Sequence, residues 1–182
     1  GDVLHQHPTQ ALLDAYTARS HLGDLAGRRI AIVGDVKHSR VARSNIEMFT
    51  ALGAEVTLVA PPTLLPPDTG AWDVQVSHEL DPVLPEVDIC YLLRMQNERM
   101  TEALVPTLRE YTAGFGLTSE RADRLRTGAL IMHPGPMNRG VEIASEVADR
   151  PNAVITEQVA NGVAVRMAVL FMLLGSGRHL AQ

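Results

Sequence analysis

"RRIAIVGDVKHSRVARSNIEMFTALGAEVTLVA", residues 28–60, decides the fold. Ile30 to Val33 is a short, continuous apolar run closed by Gly34, the pattern of a strand buried on both faces. Val41, Ile46, Phe49 and Leu52 then recur at roughly helical spacing, and Gly53 is a good stop for that helix. "AEVTLVA" (54–60) is the next strand. Strand, helix and strand in about 30 residues make a βαβ unit, which requires parallel strands with helices over the sheet.

The pattern continues through "WDVQVS" (72–77), "VDICYLL" (87–93) and "GALIMHPG" (128–135), with helix-compatible polar stretches between them. The expected fold is α/β: a Rossmann-like open parallel sheet flanked by helices, three layers deep, in one domain over residues 1–182. The Pro-rich "APPTLLPPD" (60–68) reads as a surface connection, and there is no repeat or low-complexity tract.

Composition narrows the function classes. With 46% apolar but only 4% aromatic residues, the core should be aliphatic, built from Val, Leu, Ile, Ala and Met. A net charge of −5 argues against nucleic acid or an anionic membrane as partner. The single cysteine, Cys90, lies in an apolar run and has no intrachain disulfide mate, so it reads as an inert core thiol in a reducing, cytoplasmic setting. "VANGVAVRMAVLFMLLG" (159–175) is short of the ~20 apolar residues of a membrane span and is interrupted by Asn161 and Arg166. Being apolar on several faces, it reads as a terminal helix that needs another surface to cover it. The chain opens on Gly-Asp without an initiator Met, and the expectation is the second half of something longer.

In an open parallel sheet, ligands gather beyond the carboxyl ends of the strands. Three places qualify: Gly34 to Arg40, Arg94 to Arg99, and His133 to Arg139. The first holds Lys37, His38, Arg40 and Arg43 where a helix begins, a setting that favours an anion. A dinucleotide fold would want G-x-G-x-x-G there, and the chain has one Gly, so the nucleotide reading is weak. The second, "DICYLLRMQNERM" (88–100), puts a guanidinium at the lip of a buried strand, where a solvated tip and a ligand grip are both open readings. A fourth cluster is "HPTQALLDAY" (7–16). Pro8 suits the first helical position, His7 then sits at the cap, and helix-terminal potential tends to keep its imidazole neutral. No Ser–His–Asp grouping, no H-E-x-x-H and no zinc-like Cys/His pairing is present, so neither a metal nor a cofactor is expected.

Taken in order, "HPTQALLD", "GDVKHSR", "LLRMQNER" and "HPGPMNRGVEI" resemble the transcarbamylases, and within them the aspartate carbamoyltransferase family. The resemblance covers nearly the whole chain and identifies it with the second, aspartate-binding half. It implies that Arg94 and Gln96 grip aspartate, with Arg40 taking the other carboxylate, a role suited to forked donors. It also implies that His7 and Gln10 contact carbamoyl phosphate, His7 as the catalytic group polarising its carbonyl, while Gly135 and Pro136 offer backbone carbonyls to the amide nitrogen. The implied reaction is attack by the aspartate amine on that carbonyl carbon, giving N-carbamoyl-L-aspartate and phosphate for pyrimidine synthesis.

Two positions depart from the family pattern: Val3 replaces a frequent second Gly, and Gly135 stands where many members carry Leu. The family's Ser-x-Arg-Thr-Arg phosphate loop, a further Arg and a mobile Lys belong to an N-terminal half that is outside this sequence, so the chain alone is expected to be inactive. The resemblance further implies a cytoplasmic homotrimer of the longer chain. Ornithine fits poorly, since the ornithine-using relatives carry Cys in the motif that reads His133-Pro134 here. Two rivals stay open: a transcarbamylase for another amino acid, and a non-catalytic α/β binding or receiver domain. The receiver lacks its acidic cluster, for "IAIVGDVKHSR" has one Asp amid bases.

Overall fold

The computed structural model describes residues 6–95 and 107–175. Along the chain run α1 (Pro8–Leu22), β1 (Arg29–Val33), α2 (Arg40–Ala51), β2 (Glu55–Val59), β3 (Val74–Ser77) and β4 (Ile89–Leu92). They are followed by α3 (Leu108–Phe115), α4 (Ser119–Ala122), β5 (Leu130–Met132), α5 (Ser145–Ala148) and α6 (Ile155–Gly175). The five strands form one parallel sheet in the order β3-β2-β1-β4-β5, with Ile30 opposite both Val56 and Ile89. All five strands sit where the apolar runs predict them.

Strand alternation sorts the core into two layers. Ile30, Ile32, Tyr91 and Met132 face one side, with Ala18, Ile46 and Phe49 from α1 and α2. Ala31, Val33, Cys90, Leu92 and Ile131 face the other, with Ala122 of α4, Val147 of α5 and Ile155 of α6. Both faces of β1, β4 and β5 are covered, which is why those strands read as unbroken apolar runs, whereas the edge strand β3 leaves Gln75 and Val76 exposed. Ser39 caps α2 by accepting from the Ala42 N–H, and Gly53 follows that helix at φ +79°.

Four expectations need correction. The links between β2 and β3 and between β3 and β4 hold only single 3₁₀ turns, Pro62–Leu64 and Leu84–Glu86, where prolines leave no room for a longer helix. The Pro-rich link is not wholly superficial, since Leu64 and Leu65 are buried against the α1–α2 layer. The core is mostly aliphatic, but its largest sealed side chains include Tyr91, Tyr111 and Phe49. Finally, the last helix begins at Ile155 and reaches 21 residues, long and apolar enough by length and composition to cross a bilayer. Only Ile155, Gln158 and Gly162 of it are buried. Its first turns are tied to α1, with Asn161 Nδ2 donating to Thr17 Oγ1 at 3.0 Å. Gly162 permits that approach, because a Cβ there would lie 3.2 Å from Leu13 and against the Arg166 guanidinium. Cys90 is fully buried, and burial pushes its thiol up to about 12, as expected of an inert thiol.

Candidate functional site

β2 lies on one side of β1 and β4 on the other, so the order in which the chain adds strands reverses between β1 and β4. The loops after those strands part at that switch point, the place where α/β sheets bind ligands. A cleft of about 380 Å³ opens there, lined by His7, Gln10, Asp35, His38, Ser39, Arg40, Val41, Arg94, Pro134 and Gly135. Five of the sequence-predicted site residues therefore share one cavity: His7, Gln10, Arg40, Arg94 and Gly135. Pro136 follows Gly135 through a cis peptide bond and is exposed beside the cleft without lining it. Gln96 lies outside the described residues.

Each wall has a local cause. Gly34 ends β1 at φ +122°, and a Cβ there would meet the Tyr111 hydroxyl at 3.0 Å and Leu93 at 3.2 Å, so only glycine turns the chain here. The turn brings Asp35 beneath His38: Asp35 Oδ1 accepts from the His38 backbone N–H at 3.2 Å and lies 2.9 Å from His38 Nδ1. Arg40 is the first residue of α2. Arg43 turns away and donates to the Lys37 carbonyl, so neither it nor Lys37 lines the cleft. Arg94 is exposed between buried Leu93 and Met95 just past β4. It is thus the first side chain of that segment aimed out of the core, and it opens into the cleft instead of bulk surface.

His7 caps α1 through its backbone, its carbonyl accepting from Gln10 and Ala11, while its own N–H donates to Ser44 Oγ at 2.8 Å. Burial first, then the Arg40 and Arg166 guanidiniums, hold the His7 imidazole below its ordinary pKa. The expected direction is right, but the main causes are burial and two arginines. Arg166 carried no role in the sequence reading. It reaches back from α6 to a smaller cavity shared with Gln10 and Pro134.

The Pro134–Gly135 wall is held from below. The Gly135 N–H donates to His133 Nδ1 at 2.8 Å, so that nitrogen bears no proton, and Nε2 donates to Glu142 Oε1 at 3.1 Å. The same Glu142 oxygen accepts from the Asn138 N–H, and Asn138 Nδ2 donates to the Met95 carbonyl at 2.6 Å. The β5 loop is thereby fastened to the residue after Arg94. Glu142 was missed as a support, although an acidic residue inside the "HPGPMNRGVEI" motif was the available signal.

A second, larger depression of about 560 Å³ lies elsewhere, around Asp81, Arg109, Arg121 and Arg124. Arg121 there is spent on Asp81 and on the carbonyls of Ala113 and Gly116, which marks it as structural. Among the described residues no group of three or more His, Cys, Asp or Glu is placed to hold a metal ion.

Residues 26–173 match the family described as aspartate/ornithine carbamoyltransferase, Asp/Orn binding domain. The aspartate carbamoyltransferase catalytic subunit of Acidothermus cellulolyticus is 63% identical over 177 residues, covering 97% of this chain and 55% of that protein. The chain thus spans about half the length of such relatives. Aspartate transcarbamoylase from Trypanosoma cruzi, solved in complex with aspartate and phosphate, superposes with a TM-score of 0.77 at 31% identity, over 92% of this chain and 54% of that one. Ornithine carbamoyltransferase from Thermus thermophilus superposes equally well, with a TM-score of 0.79 at 26% identity over 93% and 56%. Backbone alone therefore does not choose the amino acid, but sequence and fold agree that this chain belongs to the aspartate/ornithine carbamoyltransferase family and carries its amino-acid-binding domain.

Proposed function

We propose that this domain, joined to a carbamoyl-phosphate-binding half, transfers the carbamoyl group of carbamoyl phosphate to the amine of L-aspartate. The observation that carries this reading is the cleft that Arg40 and Arg94 share with His7, Gln10 and Gly135. Two guanidiniums suit two carboxylates, whereas the side-chain ammonium of ornithine would face like charge. Asp35 does not reverse this, being engaged by His38. Support also comes from the Acidothermus relative, named for aspartate carbamoyl transfer, and from the T. cruzi enzyme solved with aspartate and phosphate.

In the reaction a C–N bond forms, the C–O bond to phosphate breaks, and the amine proton leaves with the phosphate, which departs as hydrogen phosphate. A neutral His7 donates a hydrogen bond to the carbonyl oxygen as charge develops on it. The carbonyl of Gly135, and that of Pro136 beside it, accept from the carbamoyl nitrogen, and Gln96 joins Arg94 on aspartate. The phosphate must be held by groups from the other half. A cytoplasmic homotrimer with a place in pyrimidine synthesis belongs to the same proposal.

The test is transfer from labelled carbamoyl phosphate by the joined halves, with aspartate and ornithine offered separately. Product from aspartate alone is expected. Product from ornithine at a comparable rate would refute the assignment, and sedimentation of the joined protein tests the trimer.

A further inference from the structure

Asp14 is fully buried beneath the cleft, and four donors converge on its carboxylate. Its Oδ1 accepts from Gln10 Nε2 at 3.0 Å and from Gln158 Nε2 at 2.7 Å. Its Oδ2 accepts from Asn45 Nδ2 at 2.9 Å and from the Tyr91 hydroxyl at 2.6 Å. Burial raises its pKa, and these four donors oppose that rise. A carboxylate holding four donors has no proton to offer, so the nitrogen of each neighbouring amide must point at it.

For Gln158 this fixes both ends, because its Oε1 accepts the His133 N–H at 3.0 Å, immediately before Pro134. For Gln10 it fixes one end. With Nε2 turned to Asp14, Oε1 makes no bond among the described residues, is not sealed from solvent, and belongs to a residue lining the cleft. We propose that Asp14 is a positioning residue: by holding Gln10 nitrogen-inward and, through Gln158, the β5 loop, it presents to the carbamoyl group a wall of acceptors that selects an N–H donor. The inference rests on the functional reading above and deepens it, naming what distinguishes carbamoyl phosphate from an acyl phosphate of the same shape.

Asp14→Leu removes both acceptors at similar volume, whereas Asp14→Asn could keep its fit with NH₂ on the Oδ2 side, where Asn45 can turn its unpartnered Oδ1 inward and the Tyr91 hydroxyl can accept. In Asp14→Leu, Gln158 is still held through Oε1 by the His133 N–H, while Gln10 loses the hold on its nitrogen and is free to turn over, which would expose its own NH₂ to the substrate amide. The experiment compares carbamoyl phosphate with acetyl phosphate, which carries CH₃ in place of NH₂, as competing ligands of the joined protein. In the parent, carbamoyl phosphate should bind more tightly. In Asp14→Leu the preference should fall about tenfold, with acetyl phosphate affinity moving less than threefold and the aspartate KM at saturating carbamoyl phosphate unchanged. Gln10→Met should show the same loss, and the double variant no more than either single one.

Should Asp14→Leu fail to fold, side-chain amide NMR of the parent 182-residue chain decides the matter. One Gln10 Nε2 proton is expected to be strongly protected from exchange, whereas exchange at the free-glutamine rate would overturn the inference. An Asp14→Leu protein that folds and keeps the full preference would overturn it too, while leaving the functional reading intact. A parent that fails to prefer carbamoyl phosphate would bring down both.

Discussion

Tyr91→Phe deletes one oxygen from the most heavily bonded group beneath the cleft. The Tyr91 ring is wholly buried in the α1–α2 layer and remains in the variant, so no sizeable cavity forms. What is lost is the 2.6 Å bond to Asp14 Oδ2. A hydrogen bond to a charged, sealed acceptor is worth about 1.5–3 kcal/mol, against about 1 kcal/mol for a neutral pair. For a chain of this size that corresponds to a drop in Tm of about 3–12 °C. The deficit should also depend on pH. Burial raises the Asp14 pKa, and the Tyr91 bond is the largest contribution opposing the rise. Removing it lifts the folded-state value further. A carboxyl whose folded pKa lies above its unfolded one stabilises the fold once protonated, and that contribution is lost as pH rises through the folded value. The deficit of Tyr91→Phe is therefore full where Asp14 is ionised and shrinks as pH falls through its folded pKa. Urea unfolding of parent and variant from about pH 8 to about pH 4 spans the carboxylate range. A deficit below about 0.5 kcal/mol, or one flat across that range, would show that Asp14 does not hold its charge on these donors.

Arg94→Ala in the joined protein should lower kcat/KM for aspartate by about 30-fold to several thousand-fold, from the 2–5 kcal/mol lost with one partner of a desolvated charge pair, and leave carbamoyl phosphate binding largely intact; unchanged aspartate saturation would make Arg94 a solvated tip. His7→Ala should instead reduce kcat by about 10²–10³ with little change in aspartate KM, and NMR titration of the parent should place His7 below the ordinary histidine value, so that stability involving it is lost as pH falls through its folded pKa; an imidazolium persisting above neutral pH would contradict both. Glu142→Gln should be tolerated within about 1 kcal/mol, because Oε1 does all the accepting and Oε2 is buried without a partner, whereas Glu142→Ala should cost about 3 kcal/mol or more by stripping His133 and Asn138 at once; equal unfolding free energies for the two variants would refute that division. The isolated chain should self-associate weakly through Val163, Met167 and Leu170, which are 57–64% exposed, and revert to monomer when Met167 and Leu170 are both changed to Lys; sedimentation showing a monomer at high concentration for the parent would count against an unpartnered face.

The central strands β1, β4 and β5 were legible because they are buried on both faces and therefore read as apolar runs, the edge strand β3 only by its Val74 and Val76 alternation, and α2 because its cap, its spacing and Gly53 agree. The two 3₁₀ links were not, since alternating prolines and leucines fit a helical spacing while forbidding the helix. In the cleft, Arg40 and Arg94 could be placed from topology alone, both following strands that meet at the switch point. Asp14, Tyr91, Asn45 and Gln158 could not. They come from α1, β4, α2 and α6, and no local pattern links residues 144 positions apart, as Asp14 and Gln158 are. Arg166 was hidden for a related reason: inside an apolar helix it looked like an interruption, while its position over Gly162 is visible only in three dimensions.

Charge explains why the proposed reaction needs more than this cleft. Carbamoyl phosphate carries a charge of about −2 near neutral pH, as phosphate esters do, and aspartate adds a net −1. Among the described residues the cleft sets against these the guanidiniums of Arg40 and Arg94, with Arg166 close to His7, while Asp35 subtracts one charge. His7 does not add to the positive side, because those same arginines disfavour its imidazolium. Adding more cations to this wall would depress His7 further without reaching the phosphate, and would crowd like charges about a buried acceptor wall. On the proposed function, the remaining positive charge therefore has to come from groups outside this wall.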